Sequence, residues 1–137
     1  MINIKPLKAY TDNYIWLLET NEEVSVVDPG DAKPVLDYLS KTNKNLRDIF
    51  ITHHHFDHTA GVPELENIIS GSIYGPKNSY ELINEKVTQG DTLSSLGIKF
   101  EIIEVPGHTL DHIAFYNEEN NILFCGDTLF AGGCGRV

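Results

Sequence analysis

Short apolar runs alternate with turn-forming residues along the whole chain, the pattern expected of a mixed sheet with helices. Asn13–Glu19 and Val24–Asp28 read as strands, the second stopped by Pro29-Gly30-Asp31. Ala32–Thr42 reads as a helix: Asp31 can cap it, Pro34 is tolerated in its first turn, and Val35, Leu36 and Leu39 form its apolar face. Asp48–Thr52 carries the unbroken run Ile49-Phe50-Ile51, as expected of a strand covered on both faces. Val62, Leu65 and Ile69 then fall at i, i+3 and i+7, which predicts a helix over roughly Thr59–Ile69. Further strands are predicted at Ser72–Tyr74, Ile98–Val105, Ile113–Tyr116 and Ile122–Cys125, with a short helix at Lys77–Lys86.

The length of 137 residues suits one domain with a real core. No repeat or flexible linker divides it. A net charge of −10 argues against a nucleic-acid partner, which clustered Lys and Arg would have to meet. If some carboxylates are metal ligands, bound cations cancel part of that charge. No apolar stretch approaches the roughly 20 residues of a membrane span. The start of the chain, Met1-Ile2-Asn3-Ile4-Lys5-Pro6, lacks the apolar region of a signal peptide, so a cytoplasmic location is expected. Cys125 and Cys134 are accordingly expected as two reduced thiols.

The histidines change the picture. All six lie in two clusters, His53, His54, His55 and His58, then His108 and His112. His53 and His55 stand two apart at a predicted strand end, where the period of two sends both imidazoles to one side and His54 to the other. Asp57 and His58 follow where the chain turns toward the next helix. Such nitrogen and oxygen donors suit Zn²⁺, and imidazole also accepts iron or nickel. His108 ends another predicted strand behind Pro106-Gly107, and Asp127 follows the strand Ile122–Cys125. Donors delivered from several strand ends converge at one edge of a sheet, a usual place for an active site.

The ordered set Thr52–His58, Pro106-Gly107-His108-Thr109 and Gly126-Asp127-Thr128 resembles the metallo-β-lactamase superfamily. Asp12-Asn13-Tyr14-Ile15-Trp16, Val27-Asp28-Pro29-Gly30-Asp31 and Cys125–Phe130 running into Gly132-Gly133-Cys134-Gly135-Arg136 narrow the likeness to the glyoxalase II hydrolases. The resemblance implies an α+β fold, an αββα sandwich incomplete at its C-terminus, with residues 1–137 as one truncated domain and a C-terminal helical substrate-binding domain absent. It implies two Zn²⁺ ions, with iron or manganese as alternatives. One would be held by His53, His55 and His108, the other by Asp57 and His58, with Asp127 bridging. The second site then lacks one histidine in this chain. The implied reaction is hydrolysis of a small-molecule glutathione thioester, S-D-lactoylglutathione to glutathione and D-lactate, by a parent enzyme that is monomeric. The metals would activate water, Asp57 would orient it or accept its proton, and Arg136 would contact glutathione. Asp111 departs from the glycine usual before His112.

Other readings stand beside these. His112 is expected as a buried or hydrogen-bonded structural histidine, and Asp28 as a brace behind the metals. Cys134 is expected as a structural thiol. The fragment itself is expected to be a weak or inactive enzyme. The rival functions are a metal-binding remnant without turnover and a mononuclear-iron persulfide dioxygenase on the same fold.

Overall fold

A computed structural model describes residues 2–9, 13–53, 59–77, 80–105, 112–125 and 135–136. Strands β1 (Asn3–Ala9), β2 (Asn13–Glu19) and β3 (Glu23–Val27) run antiparallel. The first was not among the strands expected from the sequence, and it contains Pro6. An edge strand tolerates a residue with no N–H to give.

Helix α1 (Ala32–Thr42) has the predicted bounds. The Asp31 carboxylate accepts from the Lys33 N–H at 3.1 Å, and Asn43 closes the last turn in the left-handed conformation, φ 59°. Val35 is buried as expected, but Leu36 is 37% exposed, so the apolar face is narrower than the sequence suggested. The chain returns as β4 (Asn45–Phe50), parallel to β3.

The helix expected over Thr59–Ile69 is not continuous. Helix α2 covers only Val62–Leu65, a 3-10 turn covers Glu66–Ile68, and Ile69 is extended. The Gly61 N–H is committed to the Pro29 carbonyl at 2.8 Å, and Pro63 sits in the first turn, where its missing N–H costs nothing. Strands β5 (Ile73–Pro76) and β6 (Glu85–Val87) complete a sheet of order β1-β2-β3-β4-β5-β6. Where described, the short helix expected at Lys77–Lys86 is turn and strand. Asn84 is drawn onto the sheet instead: its N–H donates to the Ile73 carbonyl, and its side-chain oxygen accepts from the Ile73 N–H, both at 3.0 Å.

Strands β7 (Thr92–Ser95), β8 (Ile98–Glu104), β9 (Ile113–Asn117), β10 (Ile122–Phe124) and β11 (Gly135–Arg136) form a second sheet of order β11-β10-β9-β8-β7. Strand period decides the layers. Ile15, Leu17, Val24, Val26, Ile49 and Ile51 face α1 and α2, while Leu18, Val27 and Phe50 meet Phe100, Phe115 and Phe124 of the second sheet. Phe50 stacks on Phe115 at 4.9 Å and meets Phe100 edge-on at 5.4 Å. The predicted sandwich is thus present as a helix layer over two packed sheets.

A polar bridge crosses between the sheets. Buried Ser25, Asp48 and Ser95 join β3, β4 and β7, with the Ser95 hydroxyl donating to the Asp48 carboxylate and lying 2.7 Å from the Ser25 hydroxyl.

Candidate metal centre

The site is built from strand ends. Asp28, just past β3, takes φ 51°, which aims its carboxylate across at the segment leaving β4. One oxygen accepts from the Thr52 N–H at 2.8 Å and the other from the Thr52 hydroxyl at 2.6 Å. That hydroxyl lies 2.8 Å from His53 Nδ1. A threonine hydroxyl has one proton, and here it is spent on a carboxylate that only accepts. The Thr52 oxygen therefore accepts from His53 Nδ1–H, and in the neutral imidazole this leaves the lone pair on Nε2. A neutral ring held through one nitrogen, with its lone pair on the other, is the form a metal-binding histidine takes. Asp28, Thr52 and His53 are all buried.

The loop after Asp28 is locked by Gly61. A Cβ there would lie 2.5 Å from the Pro29 carbonyl oxygen and 2.6 Å from the Ala32 nitrogen, so only glycine lets α2 press against this loop.

Three further strand ends meet the same point. The Ile113 N–H donates to the Thr52 carbonyl at 3.0 Å, tying the second sheet to the first, and the Val105 N–H donates to the His112 carbonyl at 2.9 Å. Buried His112 lies with its Nε2 2.8 Å from the Cys125 carbonyl and its ring stacked on His53, centroids 4.6 Å apart and planes 17° from parallel. The expectation of a buried, hydrogen-bonded His112 is met. That of a reduced Cys125 is not, since this residue is disulfide-bonded; Cys134, also expected as a thiol, lies outside the described residues. The default for an intracellular chain rested on compartment chemistry and not on local geometry.

Of the predicted ligands, the structure places His53. His55, Asp57, His58, His108 and Asp127 lie outside the described residues, as does His54, which was not expected to bind metal. Arg136 is described by its backbone, in β11 opposite Ile122. Among the described residues, no three His, Cys, Asp or Glu side chains gather as a complete metal site. Each predicted ligand run nevertheless begins at the convergence: His53 precedes residues 54–58, Val105 and His112 bracket 106–111, and Cys125 precedes 126–134. Thr52, which joins Asp28 to His53, was not singled out from the sequence. Its partner Asp28 is 24 positions away, so no local pattern joins them.

A cavity of about 640 Å³ opens elsewhere, on the second sheet, among Thr92, Lys99, Glu101, Tyr116 and Glu118. Among the described residues that line it there is no histidine and none of the strand ends described above.

The metallo-beta-lactamase superfamily model matches residues 11–137. The chain belongs to that superfamily. Membership implies a divalent metal, commonly zinc, and the protonation pattern at His53 fits one. This superfamily member is 51% identical to the hydroxyacylglutathione hydrolase of Pseudoalteromonas translucida, over 100% of this chain and 54% of the relative. It is 49% identical to that of Chromohalobacter salexigens, over 100% of the chain and 55% of the relative. The chain thus spans about half the length of the curated relatives it matches. Among solved structures it resembles the BLEG-1 B3 metallo-beta-lactamase, with TM-score 0.80, 22% identity, and 99% of this chain and 76% of that one covered. It also resembles ETHE1 from Myxococcus xanthus, with TM-score 0.77, 26% identity, and 99% and 61% covered. Among the described residues no helix is long and apolar enough to cross a membrane.

Proposed function

We propose that the chain forms the metal-binding part of a hydroxyacylglutathione hydrolase, cleaving S-D-lactoylglutathione to glutathione and D-lactate in the cytoplasm. The observation that supports it best is the convergence of Thr52-His53, Val105, His112 and Cys125, from which every predicted ligand run departs. The likeness to curated relatives of that name, at 45–51% identity, supports the substrate class. In this reading His53, His55, His108 and Asp127 hold one zinc ion, and Asp57, His58 and Asp127 contribute to a second. The remainder of the substrate site belongs to a C-terminal domain outside residues 1–137.

Bound there, the two ions would supply a nucleophile from water at neutral pH and positive charge against the oxyanion that develops at the thioester carbonyl. The protein's own part is positional. The Asp28 carboxylate fixes Thr52, and Thr52 fixes the His53 tautomer and ring direction. Asp57 orients the attacking water or takes its proton. Arg136 offers a cation to a carboxylate of the glutathione moiety. Thiolate is a good leaving group, so a strong general acid is unnecessary.

The test is a side-by-side assay of the 137-residue chain and of any longer polypeptide from the same reading frame, each with added zinc. Glutathione released from S-D-lactoylglutathione is followed by thiol titration. Metal-dependent release by the longer polypeptide, with slower release by the short chain, is expected. Silence from both with this thioester would contradict the reading. Oxygen consumption with glutathione persulfide would put the dioxygenase in its place.

A further inference from the structure

Buried His112 has no role of its own in the metal-centre reading, yet its side chain makes two contacts there. Its ring lies face to face with that of His53, and its Nε2 reaches the carbonyl of Cys125, two residues before Asp127. It also opens β9, where its carbonyl accepts from Val105, and the next N–H, that of Ile113, donates to Thr52. One residue therefore touches the chain beside every run that carries a predicted ligand.

We propose that His112 is a positioning residue of the metal centre, a plate behind His53 that also ties down the strand leading to Asp127. The inference rests on the metal-centre reading above. A carbonyl only accepts, so Nε2 of His112 donates in this bond. Stacking at 4.6 Å covers one face of the His53 ring and resists its tilting that way, while the Thr52 hydroxyl sets its rotation. Together the two contacts define one direction for the Nε2 lone pair of His53. The bond to Cys125 holds the end of β10 at a set distance from that ring, so the residues beyond it start from a set position. Metal ligands need this support because coordination bonds tolerate only a few tenths of an ångström.

His112→Phe keeps a ring against His53 and loses the donor to Cys125; His112→Gln keeps a donor and loses the ring. Gln nearly matches the volume of His, and Phe exceeds it modestly. Co²⁺ is the probe, with affinity read by competition against a chromophoric chelator and ligand geometry read from the visible absorption bands. Folding is checked without metal by circular dichroism and thermal melting. Both variants are expected to fold and to bind Co²⁺ about 10- to 100-fold more weakly, with altered bands. A variant that folds and binds Co²⁺ with unchanged affinity and spectrum would overturn the inference. Failure of both variants to fold would overturn it too, assigning His112 to the core alone. His53→Ala runs alongside: if it binds Co²⁺ like the unaltered chain, the metal centre itself is wrong, a failure distinct from that of His112.

Discussion

At the residue scale, the site shows which parts of a metal centre a sequence can display. The place of His53 just past a buried strand was legible because the apolar run before it is a local property. Thr52 was not, because its role depends on a carboxylate brought in by another strand. Thr52→Val keeps the shape, removes the bond to His53 Nδ1 and frees the ring to change tautomer. Zinc affinity should fall by about 10- to 100-fold, whereas Thr52→Ser should bind nearly as the parent does. A chelator competition on both variants reads this out, and equal affinity for Val and Thr would show that the hydroxyl is idle.

At the element scale, α1 was read with correct bounds because its cap, its proline and its periodicity agree. The segment Lys77–Lys86 misled because tertiary contacts override local preference: Asn84 is more useful as a hydrogen-bonding partner of Ile73 than in a helix. Strand β7 was missed for another reason. Its sequence Thr92-Leu93-Ser94-Ser95 is polar, and its hairpin turns through Leu96 and Gly97, both at positive φ, without the usual Asn-Gly signal. Two polar contacts between elements give predictions. Asp48→Ala strands the Ser95 hydroxyl and the Ser72 N–H, which it accepts at 2.7 and 2.8 Å. Unfolding in urea should show a loss of about 1–3 kcal/mol for each stranded donor.

Glu19, at the end of β2, receives the Tyr38 hydroxyl from α1 and lies 3.3 Å from Lys5 and 3.4 Å from Lys44. Burial pushes its carboxyl up, but the hydrogen bonds from Tyr38 and Lys5 and the charges of Lys44 and Lys5 outweigh it, so the group sits below the ordinary 4.5. A lowered folded-state value means the stabilisation is present above pH 4.5 and is lost as pH falls through the folded value. Glu19→Gln should therefore lower the melting temperature at pH 7. The gap to the parent should close on acidification below pH 4.5. A gap independent of pH would show that the carboxylate's charge is not what holds α1 to the sheet.

At the scale of the whole molecule, the layered architecture was legible because strand period and helix period assign each apolar residue to one of two interfaces. Phe50 and Ile51, adjacent in sequence, serve opposite faces of one sheet. The convergence was legible only as an order of motifs; the hydrogen bonds among Thr52, Val105, His112, Ile113 and Cys125 supply its geometry. The central claim is that these strand ends gather one well-supplied metal site around His53 and a second, poorer one around Asp57 and His58. Zinc titration of the metal-free chain by isothermal calorimetry, repeated on His53→Ala, addresses it directly. Two steps of unequal affinity are predicted, with the tighter one abolished in His53→Ala. Two equal steps, or a tight step that survives in His53→Ala, would contradict the account.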